Sequence, residues 1–263
     1  MSQDAAVDID VDPGNSVLGK LTLLLDAFSF DHPELSLSEL VRRSGLHKPT
    51  VHRLCTELIH WGYLERHGIR YRLGIRLFEI GQRVCDQGLL RDAARPVMDE
   101  LQRMTGGVVH LSVRSGTEVL YVEKITGRAQ VQPSRIAGRM PMHCTASGKV
   151  LLAHGSPELV NAVLAGGLRR LTPYTITVPA QLTKALAQVR AAGFAKEFEE
   201  TRHGYLSVAA PVRGAGHEVV AALSLTVPTV RADVPALARA VLRGAAEASA
   251  RFAGAGRRAG VTA

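Results

Sequence analysis

Between Ser36 and Leu58 the chain shows two short helical patterns separated by a glycine, an arrangement that few folds accommodate. Ser36 followed three residues later by Glu39 is a capping-box pattern, and Gly45 is where the first helix is expected to stop. Pro49 stands where the first turn of a second helix tolerates proline. The expected buried residues of this second helix have amphipathic spacing: Val51, Leu54, Cys55 and Leu58. Two short helices joined by a glycine-containing turn are typical of a helix-turn-helix.

The segments around this helix pair predict one more helix and a hairpin. Apolar residues recur at helical spacing over about residues 16–29, and WGYLER and YRL indicate short strands joined by a tight turn at residues 67–69. This order predicts a winged helix-turn-helix over residues 16–74, with its second helix in the DNA major groove. The residues predicted to contact DNA are Ser36, Lys48, Pro49, Thr50, His52, Arg53, Arg66, Arg70 and Arg72. The alternative for the wing is a plain structural hairpin.

The charge of this region supports the same interpretation. Residues 42–76 hold eight basic and two acidic residues, a net charge of +6, whereas the whole chain carries +8 with a pI of about 9.8. Such clustering is expected of a surface that binds nucleic acid. Arg53 has the side chain to pair with guanine, and Thr50 and His52 can reach base edges or phosphates. The alternative is an ordinary solvated basic face.

Length and composition exclude several classes of protein. At ~150 residues per domain, the 263 residues predict about two domains, and a hydrophobic content of 46% excludes wholesale disorder. The sequence shows neither an apolar run long enough to cross a bilayer nor a signal peptide, so a cytoplasmic protein without a membrane partner is expected. Cys55, Cys85 and Cys144 lie far apart, which argues against disulfides and a zinc site. No metal or cofactor is predicted, since neither metal-ligand spacing nor a glycine-rich phosphate loop is found.

The remainder of the chain predicts a linker and a second domain. Residues 75–88 carry an apolar helical stripe, which either packs on its own wing or pairs with a second copy of the chain; we favour pairing, because helix-turn-helix proteins usually bind DNA as dimers. Residues 89–253 predict an α+β domain. Helices are expected at about 90–104, 157–164, 180–192 and 234–253, strands at 108–113, 119–124, 194–199, 205–213 and 218–227, and a polar loop at 126–139. Tails 1–15 and 254–263 are predicted to be disordered.

Four stretches of the chain carry a resemblance to a known family. They are GLHKPTVHRLCTELIHWGYL, YRLGIRLFEIG, MPMHCTASGKVLLA and GFAKEFEETRHGYLSVAAPVRGAGHEVVAALSLTVP. In this order and spacing they resemble the IclR family of bacterial transcription regulators. The resemblance implies a multidomain α+β fold with a winged helix-turn-helix, a linker helix and a GAF-like α/β effector-binding domain. It also implies dimers or tetramers that respond to small organic acids or aromatic metabolites.

The resemblance further implies which residues bind the effector. They are Met140, Ala146, Ser147, Glu197, Ser207, Ser224 and Thr226. Backbone N–H groups of Ala146 and Ser147 at a helix start would suit a carboxylate, and the strand hydroxyls alternate so that they can face one cavity. Ser207 stands where many members have cysteine, and Glu197 where aspartate is often found, which leaves the ligand open. The alternative is that these are ordinary cap and strand residues.

The expected function is a DNA-binding transcriptional regulator, in our expectation a repressor. It would bind a palindromic operator in double-stranded DNA as a homodimer or homotetramer, with an affinity that a small organic acid or aromatic metabolite modulates. The alternative is a small hydrolase or ligand-processing enzyme with an N-terminal interaction module. Against an enzyme, the chain shows no Ser-His-Asp order, metal set or nucleotide fingerprint. His143 and Cys144 lack a second Cys or His at ligand spacing, and His110 is expected to be a strand residue.

Overall fold

The computed structural model describes residues 16–126, 136 and 138–258, except for the side chains of residues 85–87 and 256–258. The chain divides between Val84 and Cys85 into two compact units. In the described parts of the chain, no helix is long and apolar enough to span a bilayer. The predicted disordered segment 1–15 and most of the predicted loop 126–139 lie outside the described residues.

The first unit contains helices and a three-stranded antiparallel sheet. Its elements are α1 (Val17–Asp26), β1 (Glu34–Ser36), α2 (Leu37–Ser44), α3 (Lys48–His60), β2 (Leu64–His67), β3 (Arg70–Leu73) and α4 (Ile75–Gly81). The strand order is β1-β3-β2, with Leu35 opposite Tyr71. These two residues join Leu24, Leu40 and Leu54 in one apolar core, which holds the helices against the sheet.

Local sequence signals set the helix boundaries of this unit. The Ser36 hydroxyl accepts a hydrogen bond from the Glu39 amide (3.3 Å), and the Glu39 carboxylate accepts one from the Ser36 amide (2.7 Å), which confirms the predicted capping box. Helix α2 ends at Ser44, and its C-cap is Gly45, whose φ of 71° lies in the left-handed region that favours glycine. Pro49 lies in the first turn of α3. The predicted helix-turn-helix is confirmed.

Two strands of the first unit differ from the prediction. Strand β1 was not predicted, because its three residues are too few to show an alternating pattern. Strand β2 begins at Leu64 rather than at Trp61, because Trp61 is the C-cap of α3. The tight turn over residues 67–69 is confirmed, with a positive φ at Gly68.

The predicted linker helix over residues 75–88 is wrong in its second half. Helix α4 ends at Gly81, and the amides of Arg83 and Val84 close its end with hydrogen bonds to carbonyls three residues back. Residues 85–88 instead begin the next helix. Glycine at 81 favours an end at this point, because it loses more backbone entropy in a helix than other residues do.

The second unit is a six-stranded antiparallel sheet with helices on both faces. Its elements are α5 (Cys85–Thr105), β4 (Val108–Ser115), β5 (Glu118–Ile125), β6 (Arg139–Pro141), α6 (Ala146–Ala153), α7 (Pro157–Ala165), α8 (Pro179–Ala192), β7 (Ala195–Phe198), β8 (Tyr205–Arg213), β9 (Val219–Pro228) and α9 (Val234–Arg258). The strand order is β6-β5-β4-β9-β8-β7. Helices packed on an antiparallel sheet confirm the predicted α+β class, and the arrangement is consistent with a GAF-like domain.

The two faces of this sheet bury different side chains. One face packs against α5 and α9 through an apolar cluster that includes Val109, Leu111 and Leu223. The opposite face, here called the inner face, packs against α6 and α8, with Ala209 and Ala222 in its apolar cluster. Neighbouring residues of a strand point to opposite faces, so the polar residues that alternate with the first cluster lie on the inner face.

The end of the chain and one sheet edge also differ from the prediction. Residues 254–258, expected to be disordered, continue α9 to Arg258, because no proline interrupts the segment and Arg251 pairs with Glu247 one turn earlier. The rest of that tail lies outside the described residues. Arg139, expected in a loop, belongs to the edge strand β6, which pairs with β5.

Candidate DNA-binding surface and effector site

The exposed face of α3 is the first candidate site. The buried side of the helix is formed by Val51, Leu54, Cys55 and Leu58. On the other side Lys48, His52 and Arg53 are exposed, and Thr50 is partly buried. The Arg53 Nη1 lies 2.9 Å from Oε1 of Glu57 one turn later, and such an exposed pair is weak. The helix therefore presents cationic and hydrogen-bonding side chains to solvent from a rigid base.

The three predicted arginines of the wing do not share one face. Arg70 and Arg72 flank the buried Tyr71 along β3, so they lie on the solvent face of the sheet. Arg66 lies opposite Tyr71 in the register, and its guanidinium carbon is 5.9 Å from the centre of that ring. Arg66 therefore lies on the face that carries Tyr71, and the wing offers two separate cationic positions.

Carboxylates offset much of the positive charge on the solvent face of the wing. Glu65 Oε2 accepts hydrogen bonds from Arg72 Nε (2.9 Å) and Nη2 (2.7 Å). Arg70 donates to the Glu34 carbonyl (2.9 Å) and lies 3.6 Å from the Glu39 carboxylate. The hydrogen bond from Arg72 is the main cause of a lowered pKa of Glu65. This face is less cationic than the number of its arginines indicates.

The predicted DNA contacts therefore fall into two groups, one on α3 and one on the wing, and Ser36 lies apart from both. Those on α3 lie together: Lys48, Pro49, Thr50, His52 and Arg53. Within the described residues, Lys48 has no ion-pair partner. Ser36 is partly buried as the cap of α2, and its hydroxyl donates to the Glu39 carboxylate (2.7 Å).

The second candidate site lies on the inner face of the six-stranded sheet. The strand register places Glu197 of β7, Ser207 of β8 and Thr226 of β9 side by side. The Ser207 hydroxyl lies 2.8 Å from the Glu197 carboxylate and 3.0 Å from the Thr226 hydroxyl. All three side chains are buried. These three predicted effector residues form one hydrogen-bonded row.

Glu197 is the buried acid of this row. Its carboxylate accepts hydrogen bonds from the Ser207 hydroxyl, the Thr201 hydroxyl (3.1 Å) and the Glu200 amide (2.9 Å). Burial is the largest influence and raises the pKa of Glu197, while the three donors lower it in part. The neutral acid is therefore easier to form here than at an exposed glutamate.

The first turn of α6 lies over the same face. Thr145 caps the helix by accepting a hydrogen bond from the Gly148 amide (3.0 Å), whereas the amides of Ala146 and Ser147 have no acceptor within the helix. The Ser112 hydroxyl of β4 donates to the Ser147 hydroxyl (3.2 Å) and joins the helix start to the sheet. Backbone amides at a helix start attract anions, so α6 offers a position for a carboxylate.

Two aromatic rings extend the inner face. His110 stacks on Tyr121 with the ring centres 4.5 Å apart, and burial lowers the pKa of His110 to about 3, with the Lys124 charge as a smaller cause. Ser224 lies opposite His110 in the register. Among the described residues, the buried hydroxyls of Tyr121 and Ser224 have no hydrogen-bond partner. Because buried polar groups are normally paired, these two hydroxyls indicate a site for a polar ligand or water.

A buried ion pair fixes α6 to the chain that follows β7. The Lys149 ammonium contacts the Glu200 carboxylate, and both side chains are almost fully buried. Glu200 also accepts a hydrogen bond from the Ile176 amide (3.4 Å), and Lys149 donates to the Lys196 carbonyl (3.4 Å). The ion pair therefore holds α6 against the segment that follows β7, next to Glu197.

Other predicted residues take less direct positions. Met140 lies on β6 and packs against the apolar cluster of α6 and α8. A ring nitrogen of His143 lies 3.0 Å from the Arg169 carbonyl, and burial raises the pKa of Cys144 to about 12. The described part of the chain contains no group of three metal-ligating side chains. Sequence reasoning missed Ser112, Tyr121, Lys149 and Glu200; of these, only Ser112 has a local signal, as a polar residue alternating with apolar ones in a strand.

Comparison with known families accounts for both units. The family model for the IclR helix-turn-helix domain matches residues 17–68, and that for the C-terminal part of the bacterial transcriptional regulator IclR matches residues 82–251. The chain belongs to the IclR family. Both the fold and the family expected from the sequence are thereby confirmed.

Known IclR-family proteins match the chain over most of their length. The chain is 39% identical to the HTH-type transcriptional regulator XynR of Escherichia coli over 219 residues, which are 82% of this chain and 87% of XynR. It is 34% identical to KdgR of the same organism over 233 residues, 86% and 88% of the two chains. An IclR homolog from Microbacterium hydrocarbonoxydans, crystallised with 4-hydroxybenzoate, matches with a TM-score of 0.85 and 32% identity, over 90% of this chain and 99% of that chain. This IclR-family chain is a DNA-binding transcriptional regulator and not an enzyme.

Proposed function

We propose that this IclR-family regulator is a cytoplasmic repressor that binds a palindromic operator as a homodimer, or as a homotetramer of such dimers. A small organic acid or aromatic metabolite on the inner face changes its operator affinity. A dimer that covers its operator excludes other proteins from the same DNA, which is the simplest route to repression. The exposed face of α3 is the observation that carries the DNA-binding part of the proposal.

Helix α3 has the chemistry to bind the major groove. Lys48 at its start suits a phosphate, and Arg53 one turn and a half later suits the O6 and N7 atoms of guanine. Thr50 and His52 supply hydrogen-bonding groups between them. Arg66 and Arg70 near the tip of the wing would contact the flanking DNA backbone. Phosphate contacts would fix the orientation of the helix, and Arg53 would supply base preference.

Exposed apolar side chains support the proposed dimer. Ile75 and Phe78 of α4 are 63% and 62% exposed, and Leu18 of α1 is 75% exposed. Ile75 and Phe78 lie about one turn apart on α4, and adjoining exposed apolar side chains often mark a protein contact. A two-fold contact between copies of the first unit would cover these residues and present two α3 helices to a palindrome.

The inner face supports a small carboxylic acid as effector. The amides at the start of α6 suit its carboxylate, while the unpaired hydroxyls of Tyr121 and Ser224 suit a hydroxyl or carbonyl elsewhere on the ligand. The structurally similar homolog that binds 4-hydroxybenzoate provides an example of a ligand with both groups. A ligand changes operator affinity only if it binds the DNA-competent arrangement and the alternative one with different strength.

Fluorescence anisotropy tests the DNA part of the proposal. A labelled duplex from the region upstream of the protein's own gene is compared with a scrambled duplex of equal length at several salt concentrations. We expect tighter binding to the upstream duplex and a steep loss of affinity with salt. As a matched control, Lys184→Ala on the exposed face of α8 leaves both affinities unchanged. Equal affinity for both duplexes at every salt concentration contradicts the proposal.

A thermal-shift screen of small carboxylic acids tests the effector part. Because a ligand that binds the folded state raises the melting temperature, an effector is recognised by a concentration-dependent shift. 4-Hydroxybenzoate and its amide make a matched pair, since they differ in the carboxylate that α6 would hold. The hit is then added to the anisotropy assay, where it must change operator affinity, and a promoter-reporter assay shows repression or activation.

A further inference from the structure

We infer that Glu65 is a positioning residue that fixes the start of α4 to the wing, and that Arg72 serves this carboxylate rather than DNA. The inference rests on the proposed DNA-binding function and revises the role of one predicted contact. It makes the wing a support for the helix that leaves the first unit, in addition to a DNA-contacting element.

The two carboxylate oxygens of Glu65 have different partners. Oε2 accepts both hydrogen bonds of the Arg72 guanidinium, at 2.9 and 2.7 Å. Oε1 accepts one from the amide of Ile75, the first residue of α4, at 3.3 Å. The N-cap position is Gly74, which has no side chain to supply an acceptor. The Glu65 carboxylate on β2 therefore accepts the hydrogen bond that an N-cap side chain would accept, and Arg72 holds this carboxylate in place.

Other contacts hold the same turn against the first unit. The Gly74 amide donates to the Tyr63 carbonyl (2.8 Å), and a Cβ atom at position 74 would lie only 2.1 Å from the Gly62 carbonyl oxygen. Arg76 donates to the Trp61 carbonyl (2.9 Å), and its guanidinium carbon lies 5.2 Å from the centre of the Tyr63 ring. The start of α4 is thus held against the first unit by several contacts, and Glu65 supplies the one that involves a carboxylate.

The charges around Arg72 argue against a phosphate contact. In the sheet register Arg72 lies opposite Glu65 on one side and opposite Glu34 on the other. A phosphate that approached Arg72 would meet these two carboxylates, and like charges repel. Lys48, in contrast, is exposed and has no ion-pair partner among the described residues. Of the two cations, Lys48 is the one available to DNA.

The first test compares the salt dependence of DNA binding for two variants of the full chain. Each phosphate contact contributes about 0.9 to the slope of log K against log salt for duplex DNA. With a short duplex of random sequence, Lys48→Ala is expected to flatten the slope by about 0.9, and Arg72→Ala to leave it unchanged. A slope flattened equally by Arg72→Ala makes Arg72 a phosphate contact and overturns the inference.

The second test changes Glu65 itself and reads two quantities. Glu65→Ala removes the acceptor, so amide exchange at Ile75 to Leu77 is expected to rise about fivefold, as for the loss of a helix cap. Glu65→Gln retains one oxygen for the Ile75 amide but no charge for Arg72, so its exchange rises less. Both variants leave Arg72 without its carboxylate, so Arg72 can then bind a phosphate and the salt slope is expected to steepen. If Glu65 only stabilised the fold, the salt slope would not change. Unchanged exchange in Glu65→Ala overturns the inference.

The two tests separate failure of this inference from failure of the proposed function. Amide exchange is measured on the free protein and needs no DNA. If wild type and Lys48→Ala both bind duplex DNA without salt dependence, the proposed DNA surface is wrong. If their slopes differ as expected while Glu65→Ala leaves α4 unaffected, the inference about Glu65 alone is wrong.

Discussion

The exposed face of α3 and the inner face of the six-stranded sheet are both polar, but they satisfy their polar groups in different ways. On α3, Lys48 and His52 point into solvent, and Arg53 is exposed beside Glu57, so water can bond to their free donors until a partner replaces it. On the inner face, the hydroxyls of Ser224 and Tyr121 are buried and have no hydrogen-bond partner among the described residues. An exposed polar side chain is compatible with many roles, whereas a buried and unpaired one requires an explanation.

This difference teaches how each site is recognised. The surface of α3 is identified by the pattern of the helix that carries it, since exposed charge alone is common. The inner face is identified by burial, because buried polar side chains such as Glu197, Ser207 and Thr226 are costly unless they are hydrogen-bonded to one another, as they are here. Substitutions on the inner face should therefore affect stability strongly, and those on α3 should affect binding.

The largest effect is expected from the buried ion pair. Glu200→Ala leaves the Lys149 ammonium buried without its partner, which is expected to lower the free energy of unfolding of the second unit by about 3 kcal/mol or more. Urea unfolding measures the loss. Glu100→Ala on the exposed face of α5 is the matched control. The apolar pair Lys149→Met with Glu200→Leu is expected to recover most of the stability. A Glu200→Ala variant as stable as the control would contradict the burial of the Lys149–Glu200 ion pair.

The second effect is a pH dependence from His110. The unfolded state takes up a proton near the ordinary pKa of 6.5, whereas the folded state does so only near pH 3, so stability falls as the pH falls between these values. Between pH 7 and pH 4 this residue is expected to account for a loss of about 3 kcal/mol. His110→Phe should therefore lose less stability on acidification than wild type. Parallel pH profiles from urea unfolding would contradict a buried, neutral His110.

The third effect concerns the effector. Ser224→Leu fills the inner face and removes an unpaired hydroxyl, so the effector-induced thermal shift is expected to disappear. We expect effector affinity to fall at least tenfold, which corresponds to about 1.4 kcal/mol. Affinity for the upstream duplex without effector should stay within twofold of wild type. Thr183→Leu on the exposed side of α8 is the control. An unchanged thermal shift in Ser224→Leu would move the effector away from the inner face.

The smallest effect is expected at the start of α2. Ser36→Ala removes the side-chain half of the capping box, which is expected to cost about 1 kcal/mol and to speed amide exchange in α2. Ser36→Thr retains a capping hydroxyl and should behave nearly as wild type. Weaker DNA binding without faster exchange in Ser36→Ala would instead make Ser36 a direct DNA contact.

The sequence predicted the first unit well because its signals are local. Ser36 and Glu39, Gly45 and Pro49 each act within one helical turn, so spacing alone indicates their roles. Strand β1 was missed because its partner is Arg70 to Arg72, more than thirty residues away, and three residues carry too little pattern of their own. The linker was drawn as one helix because its apolar stripe continues past the break at Gly81.

The inner face was predictable only through the family resemblance. The resemblance placed Glu197, Ser207 and Thr226 in one site, but which strands pair and in what register depends on contacts distant in sequence. Lys149 and Glu200 are 51 residues apart, and no local pattern joins them. Register and burial are thus the physical quantities that sequence reasoning lacked here.

The net charge of a sequence window is a weak guide to the position of the DNA-binding surface. The second unit also carries a positive excess, with 22 basic and 13 acidic residues between positions 85 and 258. On the wing, the Glu39 and Glu65 carboxylates offset Arg70 and Arg72, the two arginines of the solvent face. The position of a cation on a surface, and whether a carboxylate already holds it, matters more for DNA binding than the net charge of a sequence window.

The most direct test of the account measures how Arg53 contributes to base preference. Arg53→Ala is compared with wild type on the upstream duplex and on its scrambled counterpart by anisotropy at one salt concentration. We expect the ratio of the two affinities to fall by about tenfold, which corresponds to roughly 1.4 kcal/mol and matches the loss of one guanine contact. An unchanged ratio would show that the exposed face of α3 does not read the operator.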